Sequence, residues 1–135
     1  MYILTFDVGT TSVKVCIFNR ELKIVSQSSE EYSLLTDSNN IVEVNPKTYL
    51  DAIKNGFKKI VSNPKYMEIA AICIATQGET LIPVDCRGNA LRNAIVWLDG
   101  RADEEASYIS SLSIAQDFYK KTGVLSIDSS VPISK

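Results

Sequence analysis

The chain has 135 residues and a mass of 14.9 kDa, enough for one domain or a piece of a larger one and too little for a two-lobed enzyme. Hydrophobic residues make up 45% and charged residues 22%, as in ordinary globular domains, and the net charge of −2 gives no support for a nucleic-acid partner. The absence of histidine excludes Ser-His-Asp, Cys-His and histidine-metal sites.

The predicted elements begin with a β-hairpin. Residues 2–8 form a β-rich and nearly continuous apolar run, as expected for a buried strand, and Asp7 is the one carboxylate in it. Turn residues follow at 9–12, and the apolar alternation over 13–17 predicts a second strand that returns antiparallel. A third strand is predicted from Ile24 to about Tyr32.

A helix is predicted to follow the Asn45-Pro46 pair, with the asparagine as cap and the proline in the first helical position. The pattern stops at residues 62–64. Apolar residues at helical spacing predict the face that packs on a sheet: Tyr49, Leu50, Ile53, Phe57, Ile60 and Val61.

The second half of the chain alternates strands and helices. Further strands are predicted over 69–76 and 81–85, a hairpin turn over 85–89, and helices over 101–111 and 114–122, with Gly123 ending the last helix. Strands that come first in a meander and then alternate with helices predict an α/β domain with a mixed sheet.

The three cysteines match no zinc or redox spacing. Cys16 and Cys73 lie in apolar runs, which predicts reduced thiols in the core of a cytosolic protein. No basic segment precedes the first apolar run, and no run is long enough to cross a bilayer, so we expect a cytoplasmic location without membrane insertion. Residues 124–135 close no element, which suggests that the chain is a fragment.

The first candidate site is the turn that joins the opening strands. Asp7 ends a strand, and Gly9, Thr10 and Thr11 supply backbone N–H groups and hydroxyls that can hold a phosphate group. Lys14 can add a positive charge, and Asp7 would face a magnesium ion through water. The alternative is an ordinary hairpin in which Gly9 relieves a positive φ and Asp7 caps the turn.

The second candidate site is the polar segment at 76–80, which follows an apolar strand. Ligands of open α/β sheets bind beyond the carboxyl ends of the strands, and Gln77 and Glu79 offer donors and acceptors for vicinal hydroxyls. The alternative is a solvated turn that contains a useful glycine, Gly78.

The third segment, at 94–101, holds the single tryptophan of the chain, Trp97. A tryptophan in an apolar run is commonly a core residue, and this alternative stays open. Asp99 and Arg101 are interpreted as a structural ion pair beside a helix start rather than as catalytic groups.

Taken in order, these segments resemble the N-terminal part of the FGGY family of carbohydrate kinases. The resemblance runs through DVGTTSVK at 7–14, VEVNP at 42–46, TQGET at 76–80, AIVWLDGR at 94–101 and TG at 122–123. It implies a ribonuclease H-like, actin-like fold and ATP-dependent phosphorylation of a sugar or polyol hydroxyl, with residues 1–135 as the N-terminal part of the first lobe.

The resemblance also implies roles for individual residues. Asp7 would bind Mg²⁺, and the terminal phosphates of ATP would be held by Gly9, Thr10, Thr11 and Lys14. The sugar pocket would be lined by Gln77, Gly78, Glu79 and Trp97. Positioning and charge stabilisation dominate phosphoryl transfer, so this set of groups suits the reaction.

Departures from the family pattern bear on the substrate. Glycerol kinases carry an arginine where this chain has Gly78 and a tyrosine near Ser130, so glycerol is disfavoured. Xylulokinases usually show Met-His in place of Gly78-Glu79, so the resemblance does not identify xylulose as the substrate. A ketose, aldonate or polyol larger than three carbons is expected, held in part by Glu79.

No residue of the chain matches the family's general base, an aspartate expected beyond Lys135. We therefore expect no measurable turnover from these 135 residues alone. The alternatives are an actin-like ATPase and a non-catalytic nucleotide- or sugar-binding module of the same fold. The expected ligands are ATP and a sugar or polyol, and homodimerisation of the full-length protein stays open.

Overall fold

The structure, a computed structural model, describes residues 1–62 and 68–135. The chain divides into two compact units, one made of Met1–Ser33 and Asn45–Gln77 and the other of Leu34–Val44 and Gly78–Lys135. In chain order the elements are β1 (Tyr2–Val8), β2 (Ser12–Phe18), β3 (Ile24–Glu31), β4 (Leu35–Thr36), β5 (Val42–Val44), α1 (Pro46–Val61), β6 (Ile69–Thr76), β7 (Ala94–Ile95), α2 (Asp103–Ser111), α3 (Ala115–Thr122) and a short 3₁₀ helix (Pro132–Ser134).

The first unit is built on a four-stranded mixed sheet in the order β3-β2-β1-β6. β2 pairs antiparallel with both β1 and β3, and β6 pairs parallel with β1. This arrangement confirms the opening meander and the mixed sheet. The parallel pair places the ends of β1 and β6 at the same edge, where Val8 lies opposite Thr76.

Helix α1 covers one face of this sheet and begins where its local chemistry predicts. The side chain of Asn45 accepts a hydrogen bond from the Lys47 N–H, and Pro46 occupies the first turn. The last described residue after the helix is Ser62, so part of the predicted stop lies outside the described residues. The core between α1 and the sheet contains Leu4, Val13, Val15, Ile17, Ala52 and Ile60.

The predicted packing face of α1 is partly wrong. Leu50 is exposed, whereas Phe57 is 37% exposed and meets Phe6 of β1 with the ring centroids 6.3 Å apart. The buried helix residues are Tyr49, Ala52, Gly56 and Ile60. The helix turns its small residues to the sheet because the two elements approach closely. A Cβ atom on Gly56 would lie 2.7 Å from Cγ2 of Val15, and the hydroxyl of Ser28 donates to the Gly56 carbonyl at 3.0 Å.

We expect Gly56→Ala to destabilise the first unit by about 1–3 kcal/mol, because Val15 is fully buried and cannot move aside. Alanine is otherwise the better helix former, so a loss of stability isolates the steric cost. The measurement is hydrogen exchange over residues 46–61. The control is Asn55→Ala at the exposed neighbouring position, which should be neutral or slightly stabilising; equal behaviour of the two variants would contradict the close approach.

Two burial predictions in the first unit are wrong. Cys73 is exposed and Cys16 is only half-buried, although both cysteines are free thiols as expected. The physical reason for Cys73 is its position on β6, an edge strand whose residues from Ala70 to Thr76 are all exposed in the described structure. Asp7 is exposed as well and does not lie in a buried strand.

The second unit contains a small sheet in the order β4-β5-β7, with all its pairs antiparallel. The strand expected over 81–85 is reduced to isolated bridges, Leu81 with Ile95 and Val84 with Ala90, and the predicted turn at 85–89 is present. Gly123 ends α3 in the left-handed conformation, as predicted. Among the described helices, none has the length and apolar character needed to cross a membrane.

Candidate functional site

The predicted phosphate-binding turn lies at the end of the β1–β2 hairpin. Val8 pairs with Val13, and the Gly9 N–H donates to the Ser12 carbonyl at 2.9 Å, which closes a tight loop over Thr10 and Thr11. The hairpin therefore presents a short stretch of backbone and hydroxyl groups at one edge of the sheet. Such a stretch can form an anion-binding concavity.

Asp7 and Lys14 are direct partners in the β1–β2 register, and both side chains are exposed. Directly opposed residues share one face of the sheet, so a carboxylate and an ammonium group stand side by side next to the turn. A lone carboxylate is the kind of ligand that Mg²⁺ takes together with water and phosphate oxygens, and an ammonium group is a phosphate ligand. The residues present therefore fit a magnesium-bound triphosphate.

Gly9 is needed for space and not for a left-handed backbone. It is absent from the positive-φ residues of the described chain, so the alternative in which it relieves a positive φ is wrong. A Cβ atom at this position would lie 3.2 Å from the carbonyl oxygen of Ser12. Any side chain would push on the backbone that closes the turn.

Two tyrosines that were not predicted as site residues contact these segments. The hydroxyl of Tyr32 donates to the Gly9 carbonyl at 2.6 Å, and Nε2 of Gln77 donates to the hydroxyl of Tyr49 at 2.9 Å. The backbone of Gln77 also donates to the Val8 carbonyl at 2.8 Å. No sequence signal marks these tyrosines, because their partners are distant in the chain.

In the second unit, Glu79 lies on a strained turn. Its φ is +60°, and the Thr80 N–H donates across it to the Gly78 carbonyl at 2.8 Å, which makes a γ-turn of the rare positive-φ kind. The residue with a positive φ is thus the glutamate and not the neighbouring glycine. Gly78 and Glu79 are exposed, whereas the Thr80 hydroxyl is buried without a partner among the described residues.

Trp97 follows β7 and is 40% exposed, so the alternative that it is a core residue is wrong. The preceding Val96 is fully buried and is bonded on both sides: its N–H donates to the Val42 carbonyl, and its carbonyl accepts from Nζ of Lys135 at 2.8 Å. The backbone that carries the indole is therefore anchored. Burial and the nearby Arg101 lower the pKa of Lys135 against opposing effects of Asp99 and Glu79.

Asp99 and Arg101 form the structural ion pair that the sequence predicts, within a larger network. Asp99 is 1% exposed; it accepts from Nε of Arg101 at 2.7 Å and from the Val42 N–H at 2.6 Å. Glu43 accepts from Arg101 and Arg92, both at 2.6 Å. Burial raises the pKa of the Asp99 carboxyl, but the hydrogen bonds from Arg101 and Val42 outweigh it and bring the pKa to about 2.

This network predicts a stability change in acid. Because the folded-state pKa of Asp99 lies near 2, below the ordinary value of 3.8, its contribution is complete above about pH 4 and is lost as the pH falls through 2. Glu43, whose pKa is lowered by the Arg101 hydrogen bond, acts in the same direction. We expect the melting temperatures of wild type and Asp99→Asn to converge between pH 4 and pH 2. A constant difference would contradict the assignment.

The chain is similar to known proteins over nearly its whole length. The model of the N-terminal domain of the FGGY family of carbohydrate kinases matches residues 2–135. A glycerol kinase of Rhizobium meliloti (strain 1021) is 33% identical over 131 residues, which cover 92% of this chain and 26% of that protein. A gluconokinase of Bacillus subtilis (strain 168) is 28% identical over 134 residues, 99% of this chain and 26% of that protein.

Solved structures of sugar and glycerol kinases also superpose on this chain. Ligand-bound xylulose kinase from Lactobacillus acidophilus superposes with a TM-score of 0.87 at 29% identity, over 98% of this chain and 27% of that chain. Plasmodium falciparum glycerol kinase with ADP superposes with a TM-score of 0.85 at 30% identity, also over 98% and 27%. The chain thus spans about a quarter of the length of these proteins.

These neighbours confirm the predicted fold class, an α/β, actin-like ATPase fold with a mixed sheet. The relatives are named as kinases of glycerol, gluconate and xylulose, which are phosphotransferases. With a family model that matches nearly the whole chain, the protein belongs to the FGGY family of carbohydrate kinases.

Proposed function

We propose that the protein carrying this chain transfers the terminal phosphoryl group of ATP to a hydroxyl of a sugar or polyol. The observation that carries the proposal is the turn between β1 and β2, where Asp7 and Lys14 stand side by side next to Gly9. Residues 1–135 would be the N-terminal part of the first lobe. The family match does not favour an actin-like ATPase or a non-catalytic binding module.

On the nucleotide side, the proposal gives each residue of the hairpin a role. The backbone and hydroxyls of Thr10 and Thr11 would bind the terminal phosphates, and Lys14 would offset their charge. Gly9, whose N–H donates to the Ser12 carbonyl, would keep the turn tight beside the phosphates. Asp7 would hold Mg²⁺ through water. Magnesium-bound ATP would supply the phosphoryl group, and these side chains would keep it in place.

On the acceptor side, we propose that Gln77, Gly78, Glu79 and Trp97 bind the sugar or polyol. Three properties support this assignment. The Oε1 atom of Gln77 is buried without a partner among the described residues, so it has an acceptor to offer. Glu79 is exposed on its strained turn, and the half-exposed indole of Trp97 offers an apolar surface for a sugar ring.

Gly78 shapes the substrate proposal. A Cβ atom on Gly78 would meet nothing within 4 Å, so the position is open where glycerol kinases carry an arginine. We propose a ketose, aldonate or polyol larger than three carbons. Relatives include kinases named for glycerol, gluconate and xylulose, so overall similarity does not choose among them.

The general base is proposed to be an aspartate beyond Lys135, which leaves the 135-residue chain without turnover of its own. The proposal also includes a cytoplasmic location, with no nucleic-acid or membrane partner. Homodimerisation of the intact protein is left to a measurement of its mass in solution.

The proposal is tested by ADP release from the intact protein with MgATP and a panel of ketoses, aldonates and polyols. We expect turnover with a substrate of more than three carbons and little with glycerol. Residues 1–135 alone should show none. Absence of turnover with every member of the panel would reject the proposal. If glycerol were the best substrate, the inference that the open position at Gly78 disfavours glycerol would be rejected.

The turn at Glu79 supports a separate prediction. Asparagine accepts a positive φ more readily than glutamate, so Glu79→Asn should relieve roughly 1 kcal/mol of strain. It removes the carboxylate, so the KM for the sugar should rise about tenfold. The stability would then rise while the affinity for the sugar falls. This combination is expected where backbone strain is retained because the strained residue is functional. Thermal unfolding and steady-state kinetics of the intact protein measure the two effects.

A matched control for this prediction lies in the other unit. Leu22 has a φ of +57° and is exposed in the turn between β2 and β3. Leu22→Asn should give a similar gain in stability with no change in KM. An unchanged KM in Glu79→Asn would contradict the proposed role of the carboxylate.

A further inference from the structure

Tyr32 holds the phosphate-binding turn at two points. Its hydroxyl donates to the Gly9 carbonyl at 2.6 Å, and its backbone N–H donates to the Thr11 carbonyl at 2.9 Å. Burial, together with Tyr49 and Asp7, raises the pKa of the Tyr32 hydroxyl to about 12. The hydroxyl therefore stays protonated and remains a donor to Gly9 at any physiological pH.

Tyr49 joins this tyrosine to Gln77. It projects from the first turn of α1, is 7% exposed, and meets the Tyr32 ring edge to face, with the ring centroids 5.4 Å apart at an interplanar angle of 89°. Its hydroxyl accepts from Nε2 of Gln77 at 2.9 Å. A continuous chain of contacts within the first unit thus runs from Gly9 through Tyr32 and Tyr49 to Gln77.

Tyr49 engages one end of the Gln77 amide. The amide uses Nε2 on the tyrosine, while Oε1 is buried and has no partner among the described residues. A buried acceptor without a donor is costly, so the site suits a ligand hydroxyl. The backbone of Gln77 is already fixed to Val8. The hydrogen bond to Tyr49 restrains the side chain.

We propose that Tyr32 and Tyr49 form a tyrosine bridge that positions the Oε1 atom of Gln77 relative to the phosphate-binding turn. Both are positioning residues: Tyr32 acts through Gly9, and Tyr49 acts through Gln77. The inference rests on the proposed function, since it assigns the turn to phosphate and Gln77 to the acceptor hydroxyl. It adds that the two binding segments are held in register by one pair of rings in edge-to-face contact.

The test uses phenylalanine variants of the intact protein, which keep both rings and their edge-to-face contact. Tyr49→Phe should raise the KM for the acceptor, D-xylulose or D-gluconate, about fivefold to tenfold with little change in the affinity for MgADP. Tyr32→Phe should weaken MgADP binding about fivefold and leave the acceptor KM nearly unchanged. Because both variants keep the ring contact, the two effects should add in the double variant.

The control is Tyr119→Phe on α3, an exposed position of the second unit, which should change none of these quantities. A Tyr49→Phe variant with wild-type acceptor KM, or equal loss of both affinities in each variant, would overturn the bridge.

Hydrogen exchange separates this inference from the proposed function. In the absence of any ligand, Tyr32→Phe should speed exchange over residues 8–12, because the Gly9 carbonyl loses its donor. Faster exchange without turnover on any acceptor would retain the bridge and reject the kinase proposal. Unchanged exchange with normal turnover would reject the bridge and retain the kinase proposal.

Discussion

Replacing Asp7 with asparagine should lower the kcat of the intact protein by roughly 100- to 1,000-fold. The change keeps the size of the side chain and removes the charge that would hold Mg²⁺ next to the phosphates. Asp7 is exposed at the end of β1 and makes no contribution to the core, so the variant should fold normally. The measurement is ADP release across a range of Mg²⁺ concentrations, with hydrogen exchange over β1 and β2 to confirm the fold.

A matched control for this prediction is Asp51→Asn on α1. Asp51 belongs to the same unit and pairs with Lys47 on the exposed surface, where such pairs contribute little. Its turnover should equal that of wild type. If Asp7→Asn retained more than half of the wild-type kcat, the phosphate-binding turn would be misassigned and the proposed function would lose its main support.

The largest effect on stability is expected from Asp99→Ala. The carboxylate is fully buried, and its removal leaves the Val42 N–H and much of the Arg101 guanidinium without their acceptor. Breaking a buried ion pair by removing one partner costs about 3–5 kcal/mol. Hydrogen exchange over residues 94–101 measures the loss locally, without assuming that the intact protein unfolds in one step.

An exposed aspartate of the same unit is the control for this variant. Asp117 forms a surface pair with Lys120 in α3, and Asp117→Ala should change the free energy of unfolding by no more than about 0.5 kcal/mol. A loss below about 1 kcal/mol in Asp99→Ala would show that the network is replaceable by water. Trp97 follows Val96 in this anchored segment, so a destabilised Asp99 variant should also bind the acceptor more weakly.

Features that depend on neighbouring residues could be predicted from the sequence. The start of α1 was predicted at Asn45-Pro46 because capping needs only a few adjacent groups. The β1–β2 hairpin was predicted because alternation and turn residues are local. The resemblance of the ordered motifs then identified the family, which the family model confirms.

Features that depend on how closely two elements approach each other could not be predicted from the sequence. Periodicity placed Leu50 on the packing face of α1, but the structure exposes Leu50 and buries Ala52 and Gly56, because the helix lies against the Val15 side chain. An apolar run predicted burial for β6, but its position at the edge of the sheet leaves Cys73 exposed. The burial of a side chain depends on which elements pack against it, and the composition of its own segment does not specify those elements.

The candidate site divides in the same way. The sequence by itself determined which chemistry is present: Asp7 and Lys14 around a glycine turn, a polar Gln-Gly-Glu segment, and an ion pair at Asp99. Only the tertiary structure decided that Tyr32 and Tyr49 join the turn to Gln77 and that Glu79 takes the strained conformation. The physical reason is that motif chemistry is carried by residues close in the chain, whereas orientation is set by contacts between residues far apart in it.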